Sequence, residues 1–342
     1  MVAAACFAAC DFGSPSNEAS FGSGAPIHLL DANVGPSRPI ASGAPIELFF
    51  DRLLMPGTVT RQSFPITDLA DNLVDNPRVV YDPVARSVTL GTLAPLPACQ
   101  SFRVYLLTPA NAADVNGVRA IDGATLDPST QHFLEFRIAG TCATGGGLAD
   151  AGAGAGAPAV PATPVVDFCA TIVPFFANNC TGSSCHGQAA AAGLRLDTPQ
   201  AIVDTAINRV SIESNQGPRA AAGAAPSTLF GLDMPIIERG SSGTSGDPGN
   251  SWMIYKMLLG YPPTCAPGSG NCDALLHNAH SRPWGRLSTA EQATLARYVI
   301  GREMPFPSNP QLTQGSPYEP TLDALDAVSS WIQQGAPVPP CP

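Results

Sequence analysis

The sequence contains little charge and almost no lysine. Charged residues make up 13% of its 342 positions, Lys256 is the single lysine, and the formal net charge is −10. Proteins that bind nucleic acids neutralise the phosphate backbone with a basic surface, and this composition does not provide one. We therefore expect no nucleic-acid partner.

Long apolar runs are also missing, although hydrophobic residues make up 44% of the chain. No stretch reaches the roughly 18 apolar residues that a membrane-spanning helix requires. Residues 1–10, MVAAACFAAC, instead resemble the end of an export signal, with Cys10 after FAA as at a bacterial lipoprotein cleavage site and Cys6 as the weaker choice. A lipid anchor there would attach the protein to a membrane, with residues 11–24 as a flexible tether. A plain chain terminus with two incidental cysteines is the alternative.

Ten cysteines in an acidic, lysine-poor chain indicate an oxidising compartment outside the cytoplasm. Six of them can be grouped by position as candidate disulfide partners, although sequence alone does not establish the connectivity. The pairs that we expect are Cys99 with Cys142, Cys169 with Cys341, and Cys265 with Cys272.

The length of the chain favours two domains. Residues 25–140 contain short apolar or alternating runs separated by Pro, Gly, Asn and Asp, which predict an all-β sandwich. Residues 141–163 are a Gly/Ala/Pro-rich linker. From residue 164 to 342 the apolar period becomes helical and predicts a loop-rich, all-α domain. The predicted strands are 46–50, 78–81, 87–90, 102–107 and 132–138.

Start and stop signals place three helices in the second half. Ser288 and Glu291 have the spacing of a capping box, which predicts a helix beginning there. A second helix is predicted in the segment SWMIYKMLL, which Gly260 ends. The last predicted helix ends at Gly335.

The segment CTGSSCH carries the most specific chemical signal. Two thiols on one turn, Cys180 and Cys185, can add to the two vinyl groups of a haem, and His186 then lies beneath the iron as its proximal ligand. Four residues separate the cysteines where two are usual. Small residues in between can loop out, so the motif predicts one covalent haem c.

The second axial ligand of the iron should come from another part of the chain. In small c-type cytochromes it is commonly a methionine followed by proline in a loop before the last helix, and Met304 fits that place. Met234 precedes a proline as well and is the alternative ligand. Packing in the core is the non-functional interpretation of either methionine.

Two family resemblances extend this interpretation. Residues 25–140, with segments such as GAPIELFFDRLLMPGTV, resemble bacterial Ig-like domains of surface-layer and envelope proteins. Residues 165–337 resemble planctomycete-type cytochrome c domains, through CTGSSCHG, GDPGNSWMIYKML, LSTAEQATLARYVIGREMP and WIQQGAP. The resemblance implies an Ig-like sandwich followed by an all-α cytochrome c-like domain. It also implies attachment at Cys180 and Cys185, with His186 and Met304 on the iron.

Other interpretations of the same residues remain open. Cys180 and Cys185 can be disulfide partners, or they can bind zinc together with His277 and His280. The protein would then be a cell-surface binding or structural module without redox cycling. If no methionine binds the iron, the open position suits a sensor or a peroxidase-like protein.

The sequence as a whole predicts an extracytoplasmic, c-type cytochrome-like lipoprotein of the periplasm or cell envelope. Methionine ligation raises the reduction potential and fills the coordination sphere, which favours an electron carrier over an enzyme. The sequence identifies neither the redox partner protein nor the oligomeric state.

Overall fold

The computed structural model describes residues 21–112, 114, 116–129, 132–140, 165–216, 228–240, 244–260, 287–299, 304 and 324–342. The predicted export segment, most of the tether and the predicted linker lie outside these ranges.

The N-terminal half consists of two four-stranded antiparallel sheets. In β7 the side chains of Phe102 and Val104 are buried while their neighbours are half-buried, as expected of a strand with one face on a core. The first sheet has the order β1-β2-β6-β5 and the second β4-β3-β7-β8. The strands are β1 (Leu29–Ala32), β2 (Ile46–Phe50), β3 (Ile66–Asp68), β4 (Leu73–Asp75), β5 (Arg78–Asp82), β6 (Ser87–Gly91), β7 (Ser101–Tyr105) and β8 (Phe133–Arg137).

The C-terminal half contains short helices joined by irregular segments. A π-helical turn, Phe168–Ile172, leads directly into the first α-helix. The described α-helices are α1 (Val173–Asn179), α2 (Pro199–Thr205), α3 (Ile212–Gln216), α4 (Thr228–Gly231), α5 (Trp252–Gly260), α6 (Thr289–Tyr298) and α7 (Ala324–Gln333).

The expected fold class, an Ig-like sandwich followed by an all-α cytochrome c-like domain, is wrong. The longest α-helices in the described ranges contain ten residues. Isolated β-bridges join Ile207 to Ile237 and Val210 to Pro235. With 33 glycines and 35 prolines in the chain, long helices are interrupted. The short helices find their packing partners partly in the sheets and do not form a cytochrome-like bundle.

Helices α5 and α7 lie deep in the molecule. Every residue of α5 is buried, including Lys256, and α7 is buried from Ala324 to Ile332. A helix that is buried on all sides must be enclosed by other elements. The buried side chains of these helices and of the two sheets form one continuous hydrophobic core.

Buried polar contacts join α7 to the first sheet. The carboxylate of Asp82, at the end of β5, accepts hydrogen bonds from Ser329 Oγ at 2.9 Å and Gln333 Nε2 at 2.7 Å. Desolvation raises the pKa of Asp82 to about 6. The backbone N–H of Tyr81 donates to Asp247 at 3.1 Å. These contacts fix α7 and the segment before α5 against the sheet.

A buried ion pair joins α6 to the N-terminal half. The predicted capping box is confirmed: Ser288 caps α6 and pairs reciprocally with Glu291. Glu291 Oε2 also lies 2.9 Å from Arg86 Nη2, and its Oε1 accepts from the backbone N–H of Leu53 at 3.1 Å. The side chains of Arg86 and Glu291 are 10% and 8% exposed. One carboxylate therefore caps a helix and connects the two halves.

A disulfide joins the start of the helical half to the end of the chain. Cys169 and Cys341 are bonded across a sequence separation of 172 residues, which confirms the predicted pair. Cys99 is disulfide-bonded as well, whereas Cys142, Cys265 and Cys272 lie outside the described residues. Disulfides of this kind are characteristic of oxidising compartments outside the cytoplasm.

Within the described ranges, no helix combines the length and the apolar character needed to cross a membrane.

Replacing Arg86 with Met tests the connection between the halves. The variant leaves the Glu291 carboxylate buried without its cation, so we expect the free energy of unfolding to fall by about 3–5 kcal/mol. Chemical denaturation measures this loss. The matched control is Arg38→Met, which breaks the exposed Arg38–Asp31 pair and should cost at most about 1 kcal/mol. Equal, small losses in both variants would contradict the conclusion that the buried Arg86–Glu291 pair stabilises the connection between the halves.

Candidate functional site

The predicted haem-attachment segment forms a closed loop after α1. The N–H of Cys180 donates to the carbonyl of Phe176 at 2.8 Å, which completes the last turn of the helix. The carbonyl of Cys180 accepts from the N–H of His186 at 2.9 Å, and the N–H of Cys185 donates to Gly182 at 2.8 Å. The four intervening residues therefore loop out, and the backbones of Cys180 and His186 are brought together.

Gly187 permits this closure. A Cβ atom at position 187 would lie 2.7 Å from the carbonyl oxygen of Thr181, closer than any ordinary contact. Because the opposing atom belongs to the backbone, it cannot rotate away as a flexible side chain would. Glycine is therefore required where the end of the loop passes its beginning.

The loop forms one wall of a cavity of about 870 Å³. Cys180, Cys185, His186 and Met304, the four residues predicted to attach and ligate a haem, all line this cavity. Its volume lies within the range of roughly 300–1,000 Å³ that is typical of cofactor pockets. The remaining wall is largely apolar, with Phe176, Leu196, Ile236, Trp252, Met253 and Met257 among its members.

His186 is held in a form suited to binding a metal. It is 8% exposed, and its Nδ1 lies 3.1 Å from the carbonyl oxygen of Ala191. Since a carbonyl only accepts, Nδ1 donates to it, and the backbone of Leu194 is a second hydrogen-bond partner of the ring. Metal-binding histidines commonly have such a backbone partner on the other nitrogen. Desolvation lowers the pKa of His186, so the imidazole is neutral.

The two cysteines of the loop are not bonded to each other. Both are free thiols and are partly buried. Desolvation raises the pKa of Cys180 to about 12, with a smaller contribution from Cys185. A zinc site requires thiolates, which the raised pKa of Cys180 disfavours.

The zinc alternative gains no support from the described residues. In these ranges there is no group of three or more His, Cys, Asp or Glu side chains able to hold a metal ion. His277 and His280, the proposed partners of the cysteines, lie outside the described residues.

The two candidate methionine ligands occupy different environments. Met304 lines the cavity, and its backbone N–H donates to the carbonyl of Lys256 in α5 at 3.1 Å. Met234 is 1% exposed, belongs to the hydrophobic core and is not part of the cavity wall. Of these two methionines, Met304 is the one among the residues that line the cavity.

The cavity also has a charged element that the sequence interpretation missed. Lys256 Nζ lies 2.7 Å from Glu213 Oε2, and the same oxygen accepts from Trp252 Nε1 at 3.0 Å. All three side chains line the cavity. The signal that could have identified this element was the single lysine of the chain, placed inside the otherwise apolar helix segment SWMIYKMLL.

The residues present fit a covalent haem. The cavity supplies two unbonded thiols, an imidazole anchored to a backbone carbonyl, a thioether and a largely apolar wall against which a large ring can pack. The thioether sulfur of Met304 and an imidazole nitrogen of His186 are donors of the kind that hold haem iron.

Comparison with known proteins does not identify a family. No family model matches the chain, and no curated protein matches it. Three solved structures of the S-layer protein SbsC are weakly similar. The crystal structure of rSbsC(31-844) is 15% identical with a TM-score of 0.26, over 34% of this chain and 14% of that chain.

The other two S-layer structures are equally distant. SbsC domains 1–6 are 13% identical with a TM-score of 0.25, over 34% of this chain and 14% of that chain. The N-terminal part of SbsC is 14% identical with a TM-score of 0.26, over 34% of this chain and 24% of that chain. The chain thus spans at most 24% of the length of these three structures.

Replacing Gly187 with Ala tests the closed loop. The added methyl group must displace the Thr181 carbonyl, so we expect a loss of about 1–3 kcal/mol in the free energy of unfolding and less haem attached per chain. Gly91→Ala is the control because a Cβ there meets nothing within 4 Å. Wild-type stability and haem content in the Gly187 variant would contradict the loop geometry.

Proposed function

We propose that this protein is an extracytoplasmic electron carrier with one haem c attached through Cys180 and Cys185. His186 is the proximal ligand of the iron and Met304 the distal ligand. The observation that carries the proposal is the convergence on one cavity of four residues chosen from the sequence. Three belong to a single loop, but Met304 comes from a distant part of the chain.

Attachment requires only the thiols and the vinyl groups of the haem. Each S–H bond adds across one C=C bond, so that sulfur joins one carbon, the proton goes to the other, and no atom leaves. The cavity presents both thiols on the same loop as His186.

The surrounding residues suit a carrier better than a catalyst. The bound haem supplies a one-electron centre. His186 is oriented by the carbonyl of Ala191, and Met304 is oriented by the carbonyl of Lys256. With both residues bound to the iron, no position would remain there for a substrate. The largely apolar wall would limit the polar rearrangement that accompanies a change of charge, which favours rapid electron exchange.

The localisation of the protein is part of the same proposal. The Cys169–Cys341 disulfide supports a compartment outside the cytoplasm. Within that compartment we propose the periplasm or cell envelope, with Cys10 lipidated and residues 11–24 as the tether. A redox protein is the expected partner. The single lysine and the net charge of −10 argue against nucleic acid.

Replacing the two cysteines separately tests covalent attachment. In protein exported with a haem-attachment system, Cys180→Ala and Cys185→Ala should each retain one thioether bond. Their pyridine haemochrome bands should lie at longer wavelength than that of the wild type, because one vinyl group remains conjugated with the ring. Ser184→Ala, in the same loop, is the control and should match the wild type. Identical spectra in all four proteins would disprove attachment at these sulfurs.

Replacing the two methionines separately tests the distal ligand. Met304→Ala should abolish the weak far-red sulfur-to-iron absorption band of the oxidised protein, because that band requires a thioether on the iron. Met234→Ala should keep the band but lose about 2–5 kcal/mol of stability, since it creates a cavity in the core. Persistence of the band in Met304→Ala would assign the ligand elsewhere.

A further inference from the structure

The ion pair between Glu213 and Lys256 is the most deeply placed charge pair on the cavity wall. The Lys256 side chain is 7% exposed and that of Glu213 is 37% exposed. Burial of a lysine is costly unless its charge is compensated, and Glu213 provides the compensation at 2.7 Å. Trp252, which lies in the same helix as Lys256, donates a hydrogen bond to the carboxylate of Glu213.

The pair has no role in the attachment chemistry. The thioether bonds require Cys180 and Cys185, and the iron requires His186 and Met304. The carbonyl of Lys256 accepts from the backbone N–H of Met304, and a substitution of the Lys256 side chain leaves that carbonyl in place. Both charges nevertheless act on His186, in opposite directions. The side chains therefore lie within electrostatic reach of the position where the iron would be bound.

We propose that the Glu213–Lys256 ion pair sets the reduction potential of the haem by holding two opposite charges beside it, an inference that rests on the proposed function. Oxidation adds one positive charge at the iron. A cation nearby disfavours the oxidised state and an anion favours it, and burial of the Lys256 side chain limits the screening of its charge by water. With both present the contributions largely cancel.

Two single substitutions should move the potential in opposite directions. Glu213→Gln removes the negative charge and should raise the potential, whereas Lys256→Met removes the positive charge and should lower it. We expect each to change the ratio of reduced to oxidised protein at a fixed potential by roughly three- to tenfold, where tenfold corresponds to about 59 mV for a one-electron couple. The double variant should return close to the wild-type value.

The experiment is a spectroscopic redox titration of the full, haem-loaded protein. The far-red sulfur-to-iron band, recorded for each variant, verifies that Met304 remains bound, so that a ligand change is not read as an electrostatic shift. Asp71→Asn is the matched control: it neutralises a carboxylate that is paired with Arg103 at 2.9 Å on the sandwich and is 58% exposed. Its potential should equal that of the wild type.

Opposite shifts in the single variants and near-cancellation in the double variant support the inference. Unchanged potentials in both single variants overturn it, and so do shifts of the same sign, which would indicate general loosening of the cavity. Failure of the proposed function has a different signature, because wild-type protein would then show no haem absorption to titrate. If a single variant does not fold, the remaining one together with the double variant still decides the sign.

Discussion

The enclosure of α5 is the constraint on which the rest of the structure depends. One part of the helix surface, which includes Ile254 and Tyr255, packs into the core shared with the sheets, and another part lines the cavity. Tyr255 fixes the start of the helix by donating to the carbonyl of Gly249 at 2.7 Å. The carbonyl of Lys256 then fixes Met304. The sheets and the cavity wall are therefore parts of one packed core.

Local structure could be predicted well where the sequence contains its own signals. The predicted strand 46–50 matches β2, and the capping box correctly marked the start of α6. β3 and β4 were missed because three residues show no reliable alternation. The arrangement of the helices was predicted wrongly, since the cytochrome-like expectation came from short motifs. Motifs specify contacts along the chain, whereas Arg86 and Glu291 meet only after folding.

The same distinction applies to the site. Cys180, Cys185 and His186 could be identified because they are neighbours in sequence and their chemistry requires adjacency. Choosing Met304 over Met234 from a Met-Pro dipeptide rested on position alone, whereas the structure shows that Met304 lines the cavity and that Met234 lies in the core. The part that Glu213 plays in the cavity wall could not be predicted, because its partner Lys256 lies 43 positions further along the chain.

The account stands or falls on covalent bonds between a haem and the two sulfurs of the closed loop. The most direct measurement is the intact mass of the mature protein, exported by cells that possess a haem-attachment system, followed by identification of the peptide that carries any added mass. We predict the mass of the chain plus one complete haem, located on the peptide containing Cys180 and Cys185. A chain without added mass, or one in which these cysteines are bonded to each other, would contradict the account.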